Sequence, residues 1–270
     1  MTNPFRLVAS DVDGTLTHAD GSVSARSAAA LRAARKAGLL VVLVTGRPPR
    51  WVWEFAKQRV ADLAICANGA LVYDLCLDKL TLERPIPGEV LRRLVADLRE
   101  AAPGIVFAAE SGFQFCREPD YEIASDHTEG DAPIIGDALT FAEHRVAKLL
   151  ARHPQVQQKL LVSLAEAVAS GDAEVTRSGP ELVEISAASV TKATTMALVC
   201  DERGVAAAQV LAFGDMVNDV SLLEWAGHGV AVAGAHPDLL AVADEVTASA
   251  ENDGVAAYLE KLLELEPPAS

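Results

Sequence analysis

A short apolar run, Leu7-Val8-Ala9, breaks off at Ser10-Asp11-Val12-Asp13-Gly14-Thr15-Leu16, which sets two carboxylates two residues apart just before a glycine and a hydroxyl residue. A run of that length ending in a polar, glycine-bearing cluster reads as a buried strand that delivers its last residues onto a loop. In an α/β protein ligands bind at the carboxyl ends of strands, so this stretch constrains both the fold class and the place of the site. Asp11 and Asp13 repel one another, and each needs a cation, a proton or both. One such carboxylate can act as nucleophile or metal ligand while the other moves protons. Two other readings share these letters. A calcium-binding EF-hand loop needs a further acid and a glycine at its sixth position, whereas Gly14 falls at the fourth. A plain Asp-Gly turn is the commoner one, and only partners further along the chain separate it from a site.

Ser24 to Ala37 reads as an Ala-rich helix closed by Gly38. Leu39 to Val44 is a continuous apolar run, as in a parallel strand buried on both faces, and it ends at Thr45-Gly46-Arg47. A third strand is expected over Asp62 to Ala67, ending at Asn68-Gly69-Ala70. This alternation implies a parallel sheet with right-handed crossovers. At Arg84-Pro85-Ile86-Pro87-Gly88 it gives way to a Pro/Gly-rich joint. Beyond the joint we expect a helix over Glu89 to Ala101, then short strands at Ile105 to Ala108 and Phe113 to Arg117. A loop-rich stretch from Glu118 to Asp137 follows, then a helix around Glu143 to Arg152. Strand-like segments complete this region at Gln158 to Val162, Glu174 to Thr176 and Leu182 to Ile185. The parallel pattern resumes with a helix over Lys192 to Arg203, a strand over Val210 to Phe213 ending at Gly214-Asp215, a final strand over Gly229 to Val232 and a closing helix over Val255 to Glu264. The expected fold is α/β: a Rossmann-like parallel-sheet core from residues 1–84 and 186–270, with a smaller α+β domain inserted at 85–185.

Composition narrows the partners. Against 38 acidic residues stand 23 basic ones, a net charge of −15 that argues against non-specific binding to nucleic acid or anionic membranes. An anionic substrate then requires local positive charge or a metal to reverse the field at the site. Half of the residues are hydrophobic, enough for a large core and a smaller second one. The four cysteines (Cys66, Cys76, Cys116, Cys200) lack CxxC spacing, so neither a zinc site nor a redox pair is expected. Apolar neighbours around Cys66 and Cys200 predict buried thiols. The first residues have no signal-peptide layout and no apolar run reaches membrane-spanning length, so a cytoplasmic location is expected. The six histidines show no ligand spacing, and none is assigned to catalysis.

Several strand or helix ends thus carry the groups a phosphate site needs. Asp11 and Asp13 leave the first strand, Thr45-Gly46 the second, Lys192 opens a helix, and Asp215 with Asn218-Asp219 follows a later strand. A lysine at a helix N-terminus opposes the helix dipole, which makes an anionic partner its natural compensation. Other roles are open to these residues: a helix N-cap for Thr45, an exposed helix start for Asp219, an Asn-Gly turn for Asn68. In order and context the chain resembles the haloacid dehalogenase superfamily of phosphohydrolases, in the Cof-type branch whose α/β cap lies between the second and third motifs. The resemblance covers nearly the whole chain: Asp11 to Leu16, Val44 to Arg47, Asn68 to Ala70, Glu184-Ile185 through Lys192, Gly214 to Asp219, Ala243 to Thr247 and Asn252 to Val255.

That resemblance implies a magnesium-dependent phosphatase acting on a small phosphomonoester such as a sugar phosphate, a phosphoglycolate-like acid or a phosphorylated cofactor. By it, Asp11 is the nucleophile that forms an aspartyl-phosphate and Asp13 the general acid and then base. The cation pumps related to the family carry threonine at the position of Asp13; an aspartate implies an intermediate that turns over. Magnesium would be held by Asp11, the backbone carbonyl of Asp13 and Asp215, with Asp219 a further candidate. Thr45, Gly46 and Lys192 would hold the phosphoryl group, Asn218 and Asp219 would orient Lys192 and the metal shell, and Asn68 would reach substrate or cap. One departure is visible, Ala193 where the family often has glycine. Two alternatives stay open: a phosphosugar mutase with the same nucleophile, which would need an arginine cluster in the cap, and a non-catalytic ligand-binding protein on the same fold. Cap residues Arg117, His127 and Arg177 are weighed as substrate contacts and expected to face solvent. The chain could be a monomer or a homodimer.

Overall fold

The computed structural model describes residues 4–122, 132–177 and 182–265. The first apolar run forms β1 (Leu7–Ser10), buried at every position. Helix α1 (Ala25–Lys36) follows, with the Ser24 side chain accepting from the Ser27 amide at its start. Then come β2 (Leu40–Val44), α2 (Trp53–Gln58) and β3 (Leu63–Cys66). A hairpin that the sequence pattern did not suggest, β4 (Leu71–Asp74) and β5 (Lys79–Glu83), adds two antiparallel strands beyond β3.

The chain then builds a second sheet. Helix α3 (Gly88–Ala101) precedes β6 (Val106–Ser111), β7 (Gln114–Arg117) and β8 (Ile134–Ile135). A 3-10 segment at Ala138–Glu143 leads into β9 (Lys148–Arg152), then α4 (Gln158–Ala169), β10 (Ala173–Thr176) and β11 (Val183–Ala187). Two expectations are corrected here. The helix expected around Glu143 to Arg152 is β9, because β6 and β11 hydrogen-bond it on both sides and that outweighs the helix preference of Lys, Leu and Ala. The strand expected at Gln158 to Val162 is the start of α4, whose Leu161, Ala165 and Ala169 recur on one buried face.

The chain returns to the first sheet through α5 (Lys192–Arg203), β12 (Val210–Gly214), α6 (Val220–Trp225), β13 (His228–Val232), α7 (Pro237–Leu240), β14 (Glu245–Thr247) and α8 (Gly254–Leu262). The last strand is therefore β14, not β13. The eight-stranded sheet runs β14-β13-β12-β1-β2-β3-β4-β5 and the six-stranded sheet β10-β11-β9-β6-β7-β8. In the first, β1 lies between β12 and β2, parallel to both, so the strand order reverses at β1. A crevice opens at the carboxyl ends of strands where such a reversal occurs, and Asp11 and Asp13 emerge there. Arg84 ties the crossing segments together by donating to Thr194, Thr195 and the Ser189 carbonyl. Among the described residues no helix is long and apolar enough to cross a membrane.

Candidate active site

Three carboxylates and one ammonium meet where β1, β12 and α5 converge. Lys192, the first residue of α5, is placed by a capping box in which Thr191 and Thr194 satisfy each other's backbone amides. Its fully buried ammonium donates to Asp11 Oδ1 at 2.6 Å and to Asp219 Oδ1 at 2.5 Å. Burial opposes that charge, yet Asp11 and Asp219 raise the Lys192 pKa above its ordinary value. Asp219 sits in the 3-10 turn Val217–Asp219, entirely buried, with Oδ2 accepting from the Asp215 and Met216 amides. This excludes the exposed helix start that its sequence context also allowed. Gly214 makes room for it: a Cβ there would lie 2.6 Å from that of Asp219.

Asp215 accepts from the Thr15 hydroxyl at 3.1 Å. Burial, with Asp219 beside it, pushes its carboxyl up to about 6. The Asp11 carboxyl is likewise raised well above the usual range by burial, against the pull of Lys192. The loop at Gly14 has φ of +78°, and a Cβ there would meet Asp215 Oδ2 at 2.4 Å, so the glycine lets backbone and carboxylate pack together. One oxygen from each of Asp11, Asp215 and Asp219 lies within 4.8 Å of the others. An all-oxygen, net-anionic set of this kind fits a hard divalent cation such as magnesium. Asp11 Oδ2 and Asp215 Oδ2 are the oxygens that no described side chain engages, whereas both oxygens of Asp219 are taken.

Asp13 stands apart from this cluster. Its half-exposed carboxylate is gripped by Arg47, Nε to Oδ2 at 2.9 Å and Nη2 to Oδ1 at 2.6 Å. Thr45 is fully buried at the end of β2, and its Oγ1 accepts from the Arg47 amide at 3.0 Å. Asn68, held at φ of +57°, donates to Glu184 at 2.9 Å and accepts from Asn218 at 3.3 Å, so it joins the two sheets. Gly69 lets this loop abut the start of α5, since a Cβ there would lie 2.3 Å from the Thr191 carbonyl.

A cleft of about 840 Å³ opens over these groups between the sheets, with Asp11, Asp13, Gly46, Asp215 and Asn218 on one wall. Glu110, Phe115, Lys148 and Arg152 face them from the six-stranded sheet. The sequence reading missed two buried ion pairs here. Arg50 reaches across to Glu110 and packs against the rings of Trp51 and Phe115, and Lys148 pairs with Glu184. The available signal was a lone lysine in the otherwise apolar run Ala147 to Ala151. Arg117 donates to the Glu118 and Pro119 carbonyls and Arg177 does not line the cleft, while His127 lies outside the described residues.

Strand order, acidic cluster and cleft define an α/β protein with a carboxylate-lined site at the carboxyl ends of its parallel strands. The model of the haloacid dehalogenase-like hydrolases matches residues 8–259, and the chain belongs to that family. It is similar to a phosphoglycolate phosphatase from Methanothermobacter thermautotrophicus, 28% identical over 96% of this chain and 99% of that one. It is also similar to the 5-amino-6-(5-phospho-D-ribitylamino)uracil phosphatase YcsE of Bacillus subtilis, 27% identical over 93% of each chain. Among solved structures, the phosphatase BT1666 from Bacteroides thetaiotaomicron shares the fold with a TM-score of 0.82, at 24% identity over 97% of this chain and 96% of that one.

Proposed function

We propose that this chain is a phosphatase that hydrolyses a small phosphomonoester, with magnesium, through an aspartyl-phosphate on Asp11. The observation that carries the reading is the Lys192 ammonium held between Asp11 and Asp219, with Asp215 beside them on the cleft that also takes Asp13. An Asp11 oxygen attacks phosphorus, the ester P–O bond breaks, and Asp13 gives its proton to the leaving oxygen. Asp13 then takes a proton from water, which attacks the same phosphorus. Inorganic phosphate leaves and Asp11 returns as a carboxylate. Lys192, Thr45 and the Gly46 amide hold phosphoryl oxygens, while Asn218 and Asn68 brace the loops around them. Magnesium, held by Asp11, the Asp13 carbonyl and Asp215 with Asp219 positioning the set, supplies the positive charge that lets an anionic site accept an anionic ester.

In this reading residues 1–84 and 186–270 form the catalytic core, and 85–185 form a cap that excludes water and selects the leaving group. A roofed cleft favours small esters over folded phosphoproteins. Hydrolysis is favoured over a mutase because Arg47, Arg50 and Lys148 are each paired with a carboxylate and offer no second phosphate site. Four free cysteines suit a cytoplasmic enzyme. The test is phosphate release from a panel of small phosphomonoesters with magnesium and with EDTA. Release that needs magnesium and is confined to a few esters is expected. Magnesium binding with no release from any ester would overturn the proposal in favour of a mutase or a binding protein.

A further inference from the structure

Lys148 is buried on β9 among apolar neighbours, its side chain 4% exposed and that of its partner Glu184 2%. A buried ion pair is often no more stabilising than an apolar pair of the same shape, so this one calls for a reason beyond stability. The second bond of the ammonium supplies it. Lys148 Nζ donates to the Gly46 carbonyl at 2.7 Å, and the other end of that same peptide, the Arg47 amide, donates to Thr45 Oγ1 at 3.0 Å. An ammonium on a carbonyl polarises the peptide and strengthens its N–H as a donor. A threonine hydroxyl has one hydrogen and rotates to suit its partners. Thr45 is itself fully buried behind the cleft-lining Gly46, its Oγ1 is occupied as an acceptor, and no hydrogen bond donated by that hydroxyl is found among the described residues, so its hydrogen is free for an incoming acceptor. The Thr45 backbone is pinned as well, its amide to the Ile65 carbonyl at 2.8 Å and its carbonyl to the Asn68 amide at 3.1 Å.

We infer that Lys148 is a positioning residue that acts through the peptide between Gly46 and Arg47 to set the Thr45 hydroxyl as a hydrogen-bond donor to phosphate. The inference rests on the reading of Thr45 as a phosphate ligand. Glu184 completes the device by neutralising Lys148 and accepting from Asn68, whose own amide holds the Thr45 carbonyl. Because Lys148 and Glu184 lie on the six-stranded sheet and Thr45 on the eight-stranded one, contact between the sheets prepares the phosphate donor.

A double-mutant cycle tests this with K148M, T45V and the pair together. For each, kcat and KM for p-nitrophenyl phosphate and the competitive inhibition constant of inorganic phosphate are measured at saturating magnesium. K148M alone is expected to weaken phosphate inhibition and kcat/KM about tenfold, the scale of one charge-assisted hydrogen bond. In the T45V background the same change should cost less than about twofold, because the two residues act as one unit. A merely structural lysine would give equal losses in both backgrounds, and that result overturns the inference while leaving Thr45 a ligand. If T45V alters neither constant, the ligand reading fails and the inference with it. Should K148M not fold, the cycle is run with K148M/E184Q, which leaves no unpaired carboxylate inside, and the same two outcomes decide.

Discussion

Replacing Asp215 with asparagine should stabilise the metal-free protein while removing its activity. Burial and the nearby Asp219 push this carboxyl from 3.8 up to about 6. A tenfold change in proton affinity is worth 1.36 kcal/mol, so the free-energy penalty of the charged form approaches about 3 kcal/mol, trimmed to about 2 kcal/mol by the carboxylate's access to water. The sign follows from proton binding. Between the unfolded and folded pKa values the folded state holds more protons, so stability falls as pH rises from about 4 to 6 and stays lowered above that. The side-chain amide introduced by D215N carries no charge at any of these pH values and can still accept from Thr15. In EDTA at pH 8 the variant should melt about 4–8 °C above the parent, and the difference should shrink toward zero near pH 4. Magnesium should reverse the ranking, raising the parent's melting temperature by mass action and leaving the variant nearly unmoved. Thermal denaturation of both proteins across pH, with EDTA and with magnesium, makes the comparison. An advantage for D215N that is absent at pH 8, or equally large at pH 4, would refute the electrostatic argument.

Other substitutions separate chemistry from scaffolding. D11N should lose at least about a thousandfold in kcat with an unchanged circular dichroism spectrum, since no nucleophile remains. D13N should turn over slowly and accumulate an acid-stable phosphoenzyme on p-nitrophenyl phosphate, whose leaving group needs no proton; intact-mass spectrometry reads it. E110Q should cost about 3–5 kcal/mol in urea unfolding by leaving Arg50 without its charge partner, whereas R50M/E110L should cost much less. G69A should destabilise by about 2–4 kcal/mol, because its Cβ would strike the Thr191 carbonyl at a φ of +112°, where alanine is strained. A melting curve identical to the parent's would contradict that placement.

The parts of the molecule legible in its sequence are those whose local and tertiary preferences agree. Leu39 to Val44 is an apolar run of leucine and β-branched valine, and Leu40–Val44 forms a strand buried between two parallel neighbours. Asp11, Lys192 and Asp219 were legible as residues that meet in one cluster because strand and helix ends bring sequence-distant positions together with little freedom. Lys148-Leu149-Leu150-Ala151-Arg152 was misread because its residues favour helix, and only β6 and β11, far away in sequence, make it a strand. Hairpin β4–β5 went unseen because its outer strand is half-exposed and mixes charged with apolar residues.

The same limit explains why the ties between the sheets were missed. Arg50–Glu110 and Lys148–Gly46 join segments with no common motif, and their chemistry exists only after both sheets have formed. Residues of the eight-stranded sheet announce themselves by spacing because one loop or helix start carries each of them. Residues of the six-stranded sheet reach the same cleft one at a time, from strands whose pattern otherwise spells only burial. Substrate selection, if it resides on that sheet, is therefore written in single side chains such as Phe115 and Arg152 that have no motif around them. On the proposed mechanism, exchanging such side chains changes the ester taken while leaving Asp11 and Lys192 untouched.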